Sequence, residues 1–237
     1  MAETLSGRAR ELFAPLGPTY DRYARLLSLG QDPRWRRFLV SRLPVGADDV
    51  VLDVATGTGA VALELVRQKG CSVVGVDQSP EMLEEARRRL LLAAETGRIR
   101  FVEAGAAALP FEDGSFDGLT AAYLLRYLDD LPSGLRELGR VLRPGATAAA
   151  LDFAVPPAPL PRAGWNLYVD VGLPVLGRAI SPGWHAVGRF LGSSIREFDA
   201  RFPLSRLLAL LREAGFEDVR AQRLSLGGCA VVWGWRG

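Results

Sequence analysis

A strand-like run that ends in glycines carries the residues best suited to hold a ligand. Residues 51–59 read VLDVATGTG, so an apolar strand passes into a turn at Gly57 and Gly59. Glycine lets the backbone adopt positive φ and approach a ligand closely. The helix that follows offers free N–H groups at its first turn. Because ligands of open α/β sheets bind at the carboxyl ends of strands, we predict a nucleotide-binding loop here.

A carboxylate at the end of the next strand-like run extends this pattern. Asp77 is placed to accept hydrogen bonds from both hydroxyls of a ribose. The glycines also fit the looser NAD fingerprint, in which an acid follows about 20 residues on. Asp53 discriminates, because a carboxylate just before the glycines would repel a pyrophosphate. S-adenosylmethionine has no phosphate and carries an ammonium and a sulfonium, so the loop favours it over NAD. The other alternative is a strand–turn–helix that binds no ligand, which we consider less favoured.

Alternating strand-like and helix-like segments surround this loop. Leucines recur at helical spacing from Leu131 to Leu142, before an Arg-Pro-Gly breaker, and again from Leu204 to Leu211. We predict helices there, over 57–67 and after Ser79-Pro80. The predicted strands cover residues 50–54, 71–76, 99–102, 116–122, 147–153, 216–221 and 229–235. This alternation predicts an α/β fold with a largely parallel, doubly wound sheet and right-handed crossovers.

Residues 154–200 interrupt the alternation with six prolines and several glycines, yet stay rich in Trp, Leu and Val. A stretch this long is uncommon as a bare loop, so we predict an insertion built from short helices. The chain is therefore predicted to form a single domain, 1–237. Its segments are an N-terminal helical segment (1–48), a cofactor-binding core (49–153), the insertion on the substrate side (154–200), and a C-terminal helix with a strand pair (201–237).

The composition excludes several classes of protein. The chain has 237 residues, 49% of them apolar, and a net charge of +2 with no dense basic run, so we expect no nucleic-acid partner. Cys71 and Cys229 lie in apolar runs and are interpreted as structural thiols, and no metal site is predicted. We find neither an apolar signal core nor a run approaching the ~20 residues that span a bilayer. We therefore expect a cytoplasmic protein.

With these residues in place, the chain resembles the ubiquinone/menaquinone biosynthesis C-methyltransferases over residues 12–235. The matching segments, in order, are 20–21 (YD), 26–30 (LLSLG), 35–37 (WRR), 51–59 (VLDVATGTG), 81–83 (EML), 109–111 (LPF), 115–117 (SFD) and 125–126 (LR). Two more, 140–145 (RVLRPG) and 213–216 (EAGF), are generic to class I methyltransferases.

The departures from the family cluster around the expected site. Residues 104–107 read AGAA where the family usually has Gly-Asp-Ala-Glu, which leaves backbone contact as the route to an adenine amino group. Leu124 stands for a family glycine and Tyr127 for a family asparagine. The segment 188–195 replaces a tyrosine-rich stretch of the insertion.

The resemblance implies a Rossmann-like class I methyltransferase fold: a largely parallel seven-stranded sheet flanked by helices, with an N-terminal helical segment and an insertion after the fifth strand. It also implies that a methyl group passes from S-adenosylmethionine to a ring carbon of a quinol precursor, such as demethylmenaquinol or a ubiquinol precursor. The cofactor contacts it implies are Asp53, Ala55, Gly57, Thr58, Gly59, Asp77, Gln78, Met82, Gly105, Ala106 and Ala122.

Arg126 and Tyr20 are the predicted catalytic residues. Arg126 follows the fourth strand, where sites of this class open, and can stabilise a phenolate or orient a water. It cannot act as an ordinary base because it stays protonated. Tyr20, with Asp21, can close over the cofactor from the N-terminal helix. His185 and Asp152 are further candidates for a base. The alternative for Arg126 is a surface arginine at the start of a helix. The alternative for Tyr20 and Asp21 is a helix cap and a packing residue.

Several interpretations stay open at this stage. The apolar residues of the insertion can line a pocket for a polyprenyl tail or form the core of a small cap. The acceptor can be a prenylated quinol, or another small aromatic or polyketide molecule. A relative that binds S-adenosylmethionine without turnover is a third hypothesis, and an NAD-dependent oxidoreductase is a distant fourth. Peripheral contact with the inner face of a membrane and a homodimer are further hypotheses about partners.

Overall fold

A computed structural model describes residues 4–93 and 97–237, in which seven strands form one sheet. The strands are β1 (Val50–Val54), β2 (Ser72–Asp77), β3 (Ile99–Glu103), β4 (Phe116–Ala122), β5 (Leu142–Phe153), β6 (Phe216–Leu224) and β7 (Cys229–Arg236). The helices are α1 (Leu5–Phe13), α2 (Tyr20–Leu27), α3 (Asp32–Ser41), α4 (Ala60–Lys69), α5 (Pro80–Ala93), α6 (Leu131–Arg140), α7 (Pro159–Leu167), α8 (Leu173–Ile180), α9 (Pro182–Arg201) and α10 (Leu204–Glu213).

The strand order is β3-β2-β1-β4-β5-β7-β6, which confirms the predicted class I methyltransferase fold. The first five strands pair in parallel, and β7 is antiparallel to both β5 and β6. The order reverses between β1 and β4, so the chain leaves these neighbours in opposite directions. A crevice opens at such a switch point, outside the carboxyl ends of the strands.

Two apolar cores cover the two faces of the sheet. On one face, leucines of α6 and α10 pack on β4 and β5, among them Leu135 and Leu211. On the other face, α3 and α4 bury Leu39 and Leu65 completely. Each buried leucine contributes roughly 1.5–3 kcal/mol relative to an exposed one, so these faces fix the positions of the strand ends.

A third apolar cluster joins the N-terminal helices to the insertion. Leu16 and Leu27 of the N-terminal segment pack against Val169, Leu173 and Trp184 of the insertion. Both segments therefore lie over the carboxyl edge of the sheet and form a roof above the switch point. The division predicted after residue 48 falls in the loop between α3 and β1, and those after 153 and 200 fall at the end of β5 and one residue before the end of α9. The assignment to a single domain with these segments stays a prediction.

The insertion differs from the short helices expected. The helix α9 runs for 20 residues, because Ser181 caps it by accepting a hydrogen bond from the amide of Trp184 and Pro182 occupies its first turn. Proline is favoured in a first turn and breaks helices only farther in. The sequence from 183 to 201 holds no further proline.

Several other element bounds differ from the prediction by one to five residues, and two of the starts have a local cause. The helix α4 begins at Ala60 rather than at Gly57, because Gly57 and Gly59 both have positive φ. The strand β5 begins at Leu142, five residues before the predicted start. Its pairing with β4 is irregular between Phe116 and Gly118, and Gly145 takes up the irregularity at φ +80°.

The remaining sequence expectations concern cysteines and membrane spans. Cys71 and Cys229 are both buried and free, as expected for structural thiols. Among the helices of residues 4–93 and 97–237, none has the length and apolar character needed to cross a bilayer.

Candidate active site

A cavity of about 580 Å³ lies at the carboxyl ends of β1 and β4, beneath the roof. This volume falls within the ~300–1,000 Å³ typical of small-molecule sites. Most of the residues predicted to contact a cofactor or to act in catalysis line it. They are Tyr20, Ala55, Gly57, Thr58, Asp77, Gln78, Met82, Gly105, Ala106, Ala122 and Arg126. The other two predicted residues, Asp53 and Gly59, do not reach the wall.

Asp77 is held in place by the backbone of the loops around it. Its Oδ2 accepts a hydrogen bond from the Gly57 amide at 2.8 Å, and its Oδ1 accepts one from the Ser79 amide at 3.0 Å. Burial raises the pKa of the Asp77 carboxyl, and these backbone donors oppose the shift. Each oxygen keeps a further lone pair, so the carboxylate can accept from two neighbouring hydroxyls of a ribose.

Two glycines leave the wall open beside Asp77. A Cβ built on Gly57 or on Gly105 would meet no atom of the chain within 4 Å, although both residues line the cavity. A ligand can therefore lie directly against their backbone. Gly59 has another role: its φ is +77°, and a Cβ there would come within 3.2 Å of the Phe101 ring, so Gly59 lets α4 start close to β3.

Asp53 lies beneath the glycine loop, not on the cavity wall. Only 1% of it is exposed, and its oxygens accept hydrogen bonds from the Thr56 hydroxyl at 2.6 Å and the Thr120 hydroxyl at 2.7 Å. Burial raises the pKa of Asp53 to about 6, against the effect of these two hydrogen bonds. Asp53 thus ties the loop to β4, and direct contact with a ligand is not its geometry here.

Asp53→Asn is expected to change how stability depends on pH. A carboxyl with a folded pKa of about 6 and an ordinary unfolded pKa of about 4 destabilises the fold progressively as pH rises through that window. Asparagine does not titrate, so the unfolding free energy of the variant should rise relative to wild type by on the order of 2 kcal/mol between pH 4.5 and 7.5. Urea unfolding at each pH measures this difference, and a constant difference would contradict the shifted pKa.

The N-terminal helices are fastened to the glycine loop. The Thr58 hydroxyl donates to Asp21 Oδ2 at 2.6 Å, and Arg89 Nη1 donates to the same oxygen at 2.5 Å. The Gln78 side-chain amide donates to the Ser6 carbonyl at 2.9 Å. These contacts hold the roof against the loop through Asp21, and closure of Tyr20 and Asp21 over a cofactor stays a prediction.

Arg126 forms a buried polar cluster with Asp152 and Tyr127. Its Nη2 donates to the Tyr127 hydroxyl at 2.9 Å, and its Nη1 lies 3.2 Å from Asp152 Oδ1. That ion pair is not aligned as a hydrogen bond, and neither Nη1 nor Nε has a hydrogen-bond partner among the described residues. Burial opposes the charge of Arg126, but Tyr127 and Asp152 outweigh it and raise the pKa of the guanidinium. Arg126 is therefore a fixed cation on the wall, and the surface arginine of the alternative interpretation is wrong.

A second cluster of the same composition was missed from the sequence. Arg36 Nε donates to both oxygens of Asp32, at 3.0 and 2.9 Å, and the Tyr123 hydroxyl donates to Asp32 Oδ1 at 2.7 Å. All three residues line the cavity, and Asp32 and Arg36 are nearly fully buried. The i,i+4 spacing of Asp32 and Arg36 was a visible signal, but on a helix that spacing usually marks a solvated pair.

Phe153 joins the two clusters. Its ring stacks on Tyr123 at a centroid distance of 4.7 Å, and the Arg126 guanidinium lies 5.5 Å from its centre. The cavity therefore contains two paired guanidiniums around an aromatic ring, next to apolar residues of the roof. Such a surface suits a flat aromatic ligand that carries a polar oxygen.

The other predicted residues have clear places. Tyr20 packs against Phe13 and Trp184, and burial raises the pKa of its phenol, so it remains a hydrogen-bond donor. His185 does not line the cavity; its Nδ1 lies 2.9 Å from the Pro174 carbonyl. Asp152 lies behind Arg126 rather than on the wall, and burial raises the pKa of its carboxyl against the effect of Arg126. Neither residue is placed to act as the base.

Comparisons with known proteins give one consistent family. A profile of the ubiE/COQ5 methyltransferase family matches residues 1–236. A demethylmenaquinone methyltransferase of Thermus thermophilus is 41% identical over 226 residues, covering 95% of this chain and 100% of the relative. A ubiquinone/menaquinone biosynthesis C-methyltransferase UbiE of Geobacter sp. (strain M21) is 39% identical over 228 residues, covering 95% and 94%.

Solved structures share the fold at lower sequence identity. A SAM-dependent methyltransferase of Thermotoga maritima matches with a TM-score of 0.66 and 20% identity, covering 96% of this chain and 99% of that one. The [4+2]-cyclase SpnF matches with a TM-score of 0.70 and 17% identity, covering 99% and 97%. A cyclase on the same scaffold shows that the fold alone does not fix the reaction, which must be argued from the site.

Proposed function

The chain belongs to the ubiE/COQ5 methyltransferase family, and from this premise we propose that it transfers a methyl group from S-adenosylmethionine to a ring carbon of a quinol precursor, such as demethylmenaquinol. One observation carries the proposal most directly. One part of the cavity is the open wall at Gly57 and Gly105, beside Asp77. The part that we call the aromatic chamber is lined by Tyr123, Phe153 and the two buried arginines, Arg36 and Arg126. The first part suits an adenosine, and the second suits an aromatic ring that becomes a phenolate.

The residues on the cofactor side fit S-adenosylmethionine. Asp77 offers two oriented oxygens to the ribose hydroxyls, and the backbone at Gly57 is open for a ligand to approach. Residues 104–107 carry no acid, but Gly105 and Ala106 line the cavity and offer backbone groups to the adenine. The NAD hypothesis loses its main support, because the family and the relatives are methyltransferases.

The chemistry divides between the cofactor and the chain. When bound, S-adenosylmethionine supplies a methyl group that its sulfonium makes electrophilic. The chain must orient the acceptor ring, exclude bulk water and favour loss of the proton from the hydroxyl that activates the ring carbon. The roof of N-terminal helices and insertion excludes water, and the fastened glycine loop fixes one side of the geometry.

Arg126 and Arg36 are the groups that stabilise the developing phenolate. Arg126 is a buried cation, and two of its nitrogens find no hydrogen-bond partner within residues 4–93 and 97–237. An oxygen of the acceptor would supply the missing partner. Four aspartates line the cavity, and we assign receipt of the hydroxyl proton to Asp32, because Arg36 and Tyr123 hold it beside the aromatic residues. Stabilisation of a developing charge by groups already held in position is usually the largest single contribution to catalysis.

Gly57→Ala is expected to weaken S-adenosylmethionine binding by about tenfold or more, because the added methyl group enters the space open to the ligand. Gly145→Ala is the matched control. Gly145 also has positive φ and open space around its Cα, but it lies in β5, away from the cavity. Both variants should lose stability by a similar ~1–2 kcal/mol from left-handed strain. Calorimetry that finds unchanged affinity for Gly57→Ala, or equal losses for both variants, would contradict a close approach at Gly57.

The function is tested by following the methyl group. Purified protein is incubated with methyl-labelled S-adenosylmethionine and an extract that contains quinone precursors, and labelled products are identified by mass. We expect label in a methylated quinone, and an initial labelling rate about 100-fold lower when Arg126→Ala replaces the wild type. A labelled product of another class would overturn the assignment of the acceptor.

A second acceptor class has one specific observation in its favour. Tyr127 and Gly188, which replace family residues, both line the aromatic chamber, and Tyr127 stacks on Phe190 of α9 at 6.3 Å. A chamber altered in this way can accept another small aromatic or polyketide molecule. The same labelling experiment separates the two classes. The predicted homodimer stays a prediction.

A further inference from the structure

Three segments that contact one another line the cavity and also reach the surface of the protein, and we infer that the gap between them is its mouth. They are the turn after α2 (residues 26–31), the turn between β6 and β7 (225–228), and the segment from 157 to 176 that spans α7 and the start of α8. The Trp35 indole donates to the Ser225 hydroxyl at 2.9 Å, and the Ser225 hydroxyl lies 3.3 Å from Gln31 Oε1. The Tyr168 hydroxyl donates to the Leu27 carbonyl. We call these three segments the rim.

The rim exposes an unusual amount of apolar surface. Of the twelve large apolar side chains exposed in the described part of the chain, eight lie on it: Leu26, Leu29, Leu160, Leu167, Val171, Val175, Leu176 and Leu226. The helix α7 buries none of its residues. Exposed apolar side chains concentrated on neighbouring segments in this way suit an interaction site, whereas isolated exposed leucines need no explanation.

Two of these leucines also hold an unfavourable backbone conformation. Leu29 has φ +53° and is 74% exposed, and Leu226 has φ +59° and is 80% exposed. Non-glycine residues rarely adopt left-handed φ because the Cβ crowds the carbonyl oxygen. Glycine would fit both turn tips without strain, and packing within the chain does not reward the leucines. Because the left-handed backbone at Leu29 and Leu226 gains no packing within the chain, we infer that these leucines contact another molecule.

The exposed charges near the rim are predominantly positive. Arg22, Arg25 and Arg34 are exposed next to the first turn, and the one acid of that stretch beyond Asp21, Asp32, is buried against Arg36. Arg162 is exposed on the third segment, and Arg178 is exposed two residues beyond its end, in α8. The acid of that segment, Asp170, is ion-paired with Arg196 at 2.7 Å. Basic residues around an apolar surface suit the headgroups of anionic lipids.

We propose that the rim docks onto a bilayer that contains anionic lipids, and that the apolar tail of the acceptor enters the cavity from the bilayer through this mouth. The second part rests on the proposed function, since only an acceptor with an apolar tail needs such a route. A second copy of the chain on the rim would cover the mouth, whereas a bilayer is itself the reservoir of a tailed acceptor. Leucines at turn tips and along α7 insert among lipids, and the arginines contact headgroups.

The experiment uses vesicles without acceptor or cofactor, so it does not depend on turnover. Wild-type protein should float with phosphatidylglycerol vesicles and bind phosphatidylcholine vesicles at least tenfold more weakly. The double variant L160Q/L226G should lose about tenfold or more of the affinity for phosphatidylglycerol vesicles. Its thermal midpoint should not fall, because Leu160 is exposed and glycine relieves the strain at position 226. The control L91Q/L92Q removes two leucines of α5 that are 71% and 75% exposed and lie outside the rim, and it should bind as wild type does.

Turnover then separates this proposal from the proposed function. L160Q/L226G should methylate a short-tailed, water-soluble quinol at the wild-type rate and a long-tailed quinol in vesicles more slowly. Equal vesicle binding by wild type and L160Q/L226G would overturn the docking proposal, as would equal binding of wild type to both lipids. A wild-type dimer in solution that L160Q/L226G converts to a monomer would reassign the rim to a contact between copies. Vesicle binding without methylation of either quinol would overturn the proposed function alone.

Discussion

Arg126→Ala is expected to lower kcat by about 100-fold while the affinity for S-adenosylmethionine changes little. The guanidinium is a fixed buried cation on the acceptor side of the cavity, and the part of the chain that the structure describes leaves two of its nitrogens without a partner. We therefore expect it to stabilise the charge that develops in the transition state. Arg126→Lys should restore only part of the rate, because an ammonium lacks the planar donor geometry of a guanidinium. Single-turnover kinetics with a reduced acceptor and calorimetry with S-adenosylmethionine measure the two effects separately.

The environment of Arg126 requires a control for folding. Removing the guanidinium leaves Asp152 buried without its counter-charge, and breaking such a pair costs about 3–5 kcal/mol of stability. The double variant R126M/D152N removes both charges and should be more stable than Arg126→Ala, yet equally slow. A double variant that regains near-wild-type turnover would show that Arg126 acts only in folding. Near-normal turnover in Arg126→Ala itself would move the search for the stabilising cation to Arg36.

Asp77→Ala is expected to weaken S-adenosylmethionine binding by tenfold or more, because hydrogen bonds to a charged acceptor contribute about 1.5–3 kcal/mol each. The loss should exceed that of the ribose contacts alone, since the substitution also leaves the amides of Gly57 and Ser79 without their acceptor. Binding calorimetry measures the affinity, and kcat at saturating cofactor should change much less.

Glu103→Ala is the matched control for Asp77. Glu103 ends the neighbouring strand β3 directly opposite Asp77 in the register, but it is exposed and does not line the cavity. Its removal should leave the affinity for S-adenosylmethionine unchanged. Equal losses of affinity in Asp77→Ala and Glu103→Ala would mean that any negative charge at this edge of the sheet has the same effect, and would contradict a direct contact of Asp77 with the ribose.

The sheet and the glycine loop could be predicted because their signals are local. Short apolar runs separated by periodic helices specify parallel strands, and Asp77 lies at the end of the strand that follows the loop. The position of Asp53 could not be predicted in this way. Asp53 lies opposite Thr120 in the pairing of β1 with β4 and accepts a hydrogen bond from its hydroxyl, so its side chain does not reach the cavity. Spacing along one strand does not give the register with a neighbour, which decides whether a side chain meets a ligand or a hydroxyl of the next strand.

The second arginine cluster was hidden for a related reason. Asp32 and Tyr123 are 91 residues apart, and the contact exists only because α3 packs on the sheet next to the end of β4. The lengths of the helices in the insertion could not be predicted for a similar reason. Its prolines indicate where helices break, but they do not show that α9 continues for 20 residues after Pro182. Conversely, Arg126 was predicted from its place after a strand, because the end of β4 is at the switch point in any sheet of this order.

The central claim is that the chain methylates a ring carbon of a quinol. The most direct measurement gives purified protein trideuteromethyl-labelled S-adenosylmethionine with a short-tailed demethylmenaquinone, either reduced to the quinol or left oxidised, and locates the label by NMR and mass spectrometry. The expected result is label on a ring carbon, with the reduced acceptor only, because the hydroxyl must lose a proton to activate that carbon. Label on oxygen, equal reaction of the oxidised acceptor, or no product despite measurable S-adenosylmethionine binding would contradict the claim.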